Sequence, residues 1–191
     1  MAVLASPFTL IGTLVTGNFV AKRSPLEVYL YGYALRFILS LTGPACVSFL
    51  KAQEGVVSTT FYFLILFITI MYSFASECLM FVGVGAFFLN VSSSSIHVAG
   101  SYLTLLNTSS NMGGTWHKAL TLWLVDRLTW REDCIIPPDA AAGTLCPVKY
   151  DGYYVISTAL VPVAAVIGLY FAKTLPWLAK LPDSSWKASK R

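Results

Sequence analysis

Three charges and a row of amides are the residues here that could do unusual chemistry, because each stands inside an otherwise apolar run. Arg36 interrupts the stretch from Val28 to Leu50, and Glu77 is the single charge between Val56 and Leu89. Gly100, Thr104, Asn107, Asn111, Gly114 and Lys118 follow one another at intervals of four, three, four, three and four. That rhythm places all six on one face of a helix. A cation inside a membrane suits an oxyanion or a carboxylate partner, and amides and hydroxyls suit hydrogen bonding to a polar solute or to another helix. Arg36, Glu77, Tyr102, Thr104, Asn107, Asn111 and Lys118 are therefore the candidates for lining a solute path.

Bland readings stand beside this one. Small residues and amides at such spacing also serve plain helix packing, with Asn as the interhelical hydrogen-bonding group. Arg36 can sit near an interface or pair with Glu77, and Lys118 can snorkel toward the headgroups. Other chemistry has little support. The two histidines, His97 and His117, lie in no metal-ligand or catalytic spacing, and no Gly-rich phosphate loop or Gly-x-Ser-x-Gly turn is present. No metal site, no cofactor and no enzymatic activity are expected. Cys46 and Cys78 lie in apolar blocks, where cysteine behaves as a small hydrophobe. Cys134 and Cys146 flank a segment of eleven residues next to Pro137-Pro138 and Pro147. A disulfide closing that loop and a pair of unbridged loop thiols both fit.

The elements that must position these residues are membrane spans. Of 191 residues, 56% are hydrophobic and only 12% charged, and the mean hydropathy is +0.68. A soluble domain carries about a quarter charged residues, so this chain cannot cover a globular surface with them. The apolar residues come in blocks covering about 2–21, 28–50, 56–89, 98–125 and 153–172. Each reaches the ~20 residues that cross a bilayer core. The third exceeds one bilayer thickness and must tilt or project. The first has no basic segment ahead of it, so it reads as a retained span rather than a signal peptide. The fold class expected is all-α, a polytopic transmembrane bundle of about five spans over residues 1–175, followed by a basic tail over 176–191.

Orientation follows from lysine and arginine. Five crossings put Lys22, Arg23 and the tail cations Lys173, Lys180, Lys187, Lys190 and Arg191 on one side. Lys51, Arg127, Arg131 and Lys149 fall on the other, offset by Glu54, Glu132, Asp133, Asp139 and Asp151. The more basic side is cytoplasmic by the positive-inside rule, and the loop 127–152 is extracytoplasmic. The surplus cations are orientation signals on a membrane protein, so no nucleic-acid partner is expected. Asn90-Val91-Ser92 and Asn107-Thr108-Ser109 match the glycosylation pattern, but one falls in a cytoplasmic connection and the other within a helix.

The run Gly100-Ser-Tyr-Leu-Thr-Leu-Leu-Asn107-Thr-Ser-Ser-Asn111-Met-Gly113-Gly114-Thr-Trp116, with Leu122-Trp-Leu-Val-Asp126 after it, resembles the signature region of the acetyl-coenzyme A transporters of the endoplasmic reticulum membrane. Asp151-Gly-Tyr-Tyr-Val155, Ser184-Ser-Trp-Lys187 and the cysteine-bearing loop are similar to the same family, and the likeness runs from the first block to the C-terminus. The resemblance implies a major facilitator superfamily carrier, with two six-helix halves around a central pathway. The five blocks would be the last five helices of the C-terminal half. It also implies an endoplasmic reticulum location and acetyl-CoA as the solute, with proton symport only by family analogy. A polyanion of that kind would suit a cation such as Arg36. His117 and Lys118 replace the Pro and small polar residue usual after the Trp, and Arg127 stands where a Pro is usual, so no family role passes to them. A single half-bundle encloses no pathway. Two functions are therefore expected in competition. One is the C-terminal part of an acetyl-CoA carrier, completed in the bilayer by a missing N-terminal half or a second copy. The other is a non-transporting membrane protein acting in assembly or regulation.

Overall fold

The computed structural model describes residues 2–52, 57–92, 99–132, 146–182 and 185, with side chains from Pro7 onward. Among them are five helices: α1 (Ala2–Val20), α2 (Pro25–Ala52), α3 (Thr59–Ser92), α4 (Ala99–Leu128) and α5 (Gly152–Ala179). Two short strands, β1 (Trp130–Arg131) and β2 (Val148–Tyr150), pair antiparallel between α4 and α5. They lie within the segment 127–152 that the sequence marks as a loop. The strands are too short to leave a clear alternation in the sequence.

Helix starts follow local chemistry. Pro25 occupies the first position of α2, where its missing N–H costs nothing. The Ser58 hydroxyl accepts from the Phe61 amide at 3.2 Å and caps α3. The Asp151 carboxylate accepts from the Tyr153 amide at 2.9 Å and caps α5. The observed helices run two to seven residues beyond several of the apolar blocks, because capping and polar end turns extend a helix past its lipid-solvated part.

Helices α2, α3 and α5 are long and apolar enough to cross a membrane. The protein is an integral membrane protein built as an all-α helical bundle. The apolar part of α1 with described side chains is Pro7–Val20, which is shorter. Helix α4 has the length, at 30 residues, but not the apolarity. Of the five expected crossings, α4 falls short in apolarity because of its polar stripe, and α1 in the length of its described apolar part. At 34 residues α3 is about 51 Å long, which matches the expectation that this block outruns a bilayer.

The chain divides into two compact units, one of Met1–Asn107 with Ala164–Arg191 and the other of Thr108–Val163. In the first, α2 and α3 run antiparallel along a seam of small residues. A Cβ placed on Gly83 would lie 2.8 Å from the Pro25 carbonyl oxygen. One on Gly32 would lie 2.7 Å from Met80 Cγ and 2.9 Å from the Ala75 oxygen. Farther along, the rings of Phe49 and Phe61 meet at 5.0 Å. Helix α1 docks on the same part of α3, where Gly12 leaves room for Phe74 and Cys78. Without a hydrophobic drive between helices in lipid, close backbone approach at such residues is what holds them together. Val28, Ala75 and Cys78 are fully buried there.

At that seam α3 departs from regular geometry. Phe74–Phe81 forms a π-helical stretch in the middle of the helix. The inward-facing Ala75 and Cys78 are in the core, whereas Phe81 is 71% exposed. The Cys78 thiol donates to the Thr9 carbonyl at 3.4 Å and lies 3.8 Å from the Thr13 hydroxyl.

In the second unit the end of α4 is tied to the start of α5. The Thr129 hydroxyl donates to the Val125 carbonyl at 2.7 Å and accepts from the Gly152 amide at 3.1 Å. Gly152 is buried against the Val125 carbonyl oxygen, with no space for a side chain. Trp130 pairs with Tyr150 across the strands, and the Glu132 amide donates to the Pro147 carbonyl.

Candidate functional site

Arg36 and Glu77 each lie within one turn of the midpoint of their helices, α2 and α3. For spans of this length the midpoint is the depth where a charge is most costly. They do not pair. Arg36 donates from Nε to the Tyr72 hydroxyl at 3.0 Å, and its guanidinium carbon lies 5.2 Å from the centre of the Tyr72 ring. Both Arg36 and Glu77 are exposed, and the Glu77 carboxylate has no cation or hydrogen-bond donor among the described residues.

The α2 face around Arg36 is built from Tyr29, Tyr33, Arg36 and Ser40, spaced four, three and four. Tyr33 donates its hydroxyl to the Ala164 carbonyl at 2.7 Å and holds α5 against α2. Its ring fills the space above Gly168 and meets Phe171 edge-on at 5.8 Å. Ser40 returns its hydroxyl to the Arg36 carbonyl at 2.8 Å. Tyr72 and Tyr33 escape a reading of the sequence because a tyrosine in an apolar block looks like any other aromatic anchor. Only the i, i+3, i+7 relation of Tyr29 and Tyr33 to Arg36 could have marked the face.

The α4 stripe lies along an exposed face. No residue of α4 is buried, and every position from Asn107 to Leu120 is exposed. The partly buried positions of α4 are Ala99, Leu103, Leu106, Thr121, Leu124 and Val125, none of them among Gly100, Thr104, Asn107, Asn111, Gly114 and Lys118. The polar side chains of α4, on the stripe and beside it, divide into two sets. Thr104 bonds back to the Gly100 carbonyl at 2.9 Å, Thr115 to that of Asn111 at 3.1 Å, and Thr121 to that of His117 at 2.8 Å. His117 Nδ1 lies 3.2 Å from the Gly113 carbonyl. These groups are satisfied within their own turn and need no partner. The side chains of Asn107, Asn111 and Lys118 find none among the described residues. Tyr102 is 42% exposed on the same helix. Arg36 and Glu77 belong to the first unit, whereas the stripe begins in the first and continues into the second.

Cys146 is disulfide-bonded, and Cys46 and Cys78 are free. Cys134, the partner of Cys146 in the disulfide alternative, lies outside the described residues, as does His97. No group of His, Cys, Asp or Glu among the described residues could hold a metal ion.

An arginine at the middle of a long apolar helix and a long polar stripe occur in one chain, and comparison with known proteins gives the family. Residues 9–188 match the family model described as acetyl-coenzyme A transporter 1. The chain belongs to this family. The uncharacterized membrane protein YBR220C of Saccharomyces cerevisiae is 28% identical over 89% of the chain and 32% of its own length. The uncharacterized protein C21B10.09 of Schizosaccharomyces pombe is 31% identical over 87% of the chain and 34% of its own length. The chain thus spans about a third of these relatives. A third relative, the uncharacterized protein YBR219C of S. cerevisiae, is 31% identical over 44% of the chain, which covers 79% of that protein. No solved structure matches the chain.

Proposed function

We propose that these residues form the C-terminal part of a membrane carrier for acetyl-CoA, of major facilitator type and resident in the endoplasmic reticulum membrane. All five helices cross the bilayer in this reading, with α4 lining the solute path. One observation carries it. In a chain of this family, α4 presents Asn107, Asn111 and Lys118 on an exposed face with no partner among the described residues. Lipid would leave those groups unsatisfied, so the face looks onto a water-filled cavity closed by an N-terminal half or a second copy. Arg36 supplies a positive site at mid-membrane, suited to a solute that carries several phosphates. The test is uptake of labelled acetyl-CoA into vesicles. Asn107→Leu or Asn111→Leu is expected to cut uptake several-fold with protein abundance unchanged. Wild-type uptake in both variants would reduce the two amides to packing groups.

The competing reading, a short non-transporting membrane protein, draws support from the relative most of whose length these residues match. The mass of the endogenous chain, detected through its tail after Pro182, separates the two. A band near 20.9 kDa favours the short protein or an obligate oligomer. One about three times heavier under denaturing, reducing conditions favours the carrier.

A further inference from the structure

We propose that Arg36, held in orientation by Tyr72, is an anion-binding residue that receives a phosphate group of the solute on its terminal nitrogens. The inference rests on the carrier reading and adds to it a site and a ligand chemistry. A guanidinium has five N–H donors in a planar fork. The Nε donor of Arg36 is spent on the Tyr72 hydroxyl at 3.0 Å. The Tyr72 ring, 5.2 Å from the guanidinium carbon, takes up one neighbour position of the group. The terminal edge, with its four remaining donors, meets no acceptor among the described residues.

The surroundings leave that edge open rather than competing for it. Ser40 has turned its hydroxyl back onto the Arg36 carbonyl, and Tyr33 has turned its own onto Ala164. Glu77, the other charge at mid-helix, does not engage it. Tyr72 is therefore a positioning residue. It accepts from Nε, which closes the side-on mode through Nε and leaves a bidentate ligand the edge between the two terminal nitrogens. A planar pair of N–H donors fits two oxygens of one phosphate, and a point ammonium cannot reproduce that. The solute feature assigned to Arg36 is a phosphate or pyrophosphate group, not the acyl thioester.

Binding is measured on the protein in the form its own membranes contain, purified in detergent. The probes are labelled acetyl-CoA, inorganic pyrophosphate as competitor, and acetyl-pantetheine, which lacks the phosphates. Arg36→Gln is expected to weaken acetyl-CoA binding at least about tenfold and to abolish displacement by pyrophosphate. Acetyl-pantetheine binding should be unchanged in that variant. Arg36→Lys should recover only a minor part of the loss. Tyr72→Phe keeps the ring and removes the acceptor, and it should weaken acetyl-CoA about three- to tenfold with the same abundance and melting behaviour. Equal losses for acetyl-CoA and acetyl-pantetheine in Arg36→Gln would mean a structural role and overturn the proposal, as would unchanged acetyl-CoA binding. Wild-type protein that binds pyrophosphate through Arg36 but no acetyl-CoA keeps the anion site and removes the acetyl-CoA reading. Wild-type protein that binds neither overturns both.

Discussion

Gly32 carries the tightest constraint on any single side chain in the seam between α2 and α3. Its absent Cβ leaves the space that Met80, Leu79 and the Ala75 carbonyl occupy, all within 2.9 Å of where it would stand. One of these neighbours is backbone and cannot swing away, so Gly32→Ala must push the helices apart. The expected cost is about 1–3 kcal/mol, the usual penalty for overpacking. Gly85, on the same helix α3, has nothing within 4 Å of its would-be Cβ, and Gly85→Ala should leave stability unchanged or raised. Thermal unfolding of the two variants in one detergent checks the contrast, and equal losses would remove the packing explanation. The sequence alone could not separate these glycines. The charges were different, since Arg36 and Glu77 stand out in apolar blocks wherever the helix ends fall. Their partners were not legible, because whether a guanidinium meets Glu77 or Tyr72 depends on the register between two helices and not on either helix alone.

Elements were read well where lipid sets the rules. The helices α2, α3 and α5 follow from long apolar runs holding at most one charge, and Asp151 before Gly152 has the composition of a helix start. The π-helical stretch Phe74–Phe81 left no trace, because an apolar block surrounded by lipid or small-residue contacts has no strong periodicity to interrupt. The joint between α4 and α5 was also hidden, since it depends on one hydroxyl across the loop. Thr129 receives the Gly152 amide, and that amide opens α5. Thr129→Val keeps the shape and removes the acceptor. Leaving that buried donor unpaired should cost about 1–3 kcal/mol. Hydrogen exchange at Gly152 should accelerate while exchange at the centre of α5 stays slow. Uniform acceleration along α5 would mean the threonine supports the whole helix and not its start.

For the whole molecule, the distribution of cations sets a testable orientation. Ser185, beyond α5, is expected on the cytoplasmic side, and Val148, in β2, on the opposite one. In sealed microsomes, Ser185→Cys should react with a membrane-impermeant maleimide added outside, whereas Val148→Cys should react only after the vesicles are opened. The reverse pattern would invert the reading of all five helices. At this scale the sequence showed a membrane bundle and a polar stripe. It could not show that the stripe lies outside the helix packing, because a sequence records which residues share a face but not what covers it. Leu103 and Leu106 are partly covered while Asn107 and Asn111 stand open.

The openness of α4 bears on how the chain enters a membrane at all. A helix this polar gains little from leaving the translocation channel for lipid by itself. Synthesis brings it out ahead of α5, which is strongly apolar, and the short β-ribbon and the Thr129–Gly152 joint bring the end of one to the start of the other. The two are then best inserted together, as a hairpin whose second arm carries the first. On that route α4 is expected to wait at the channel until Gly152 and the residues after it have left the ribosome, and a messenger cut before that point should strand it there.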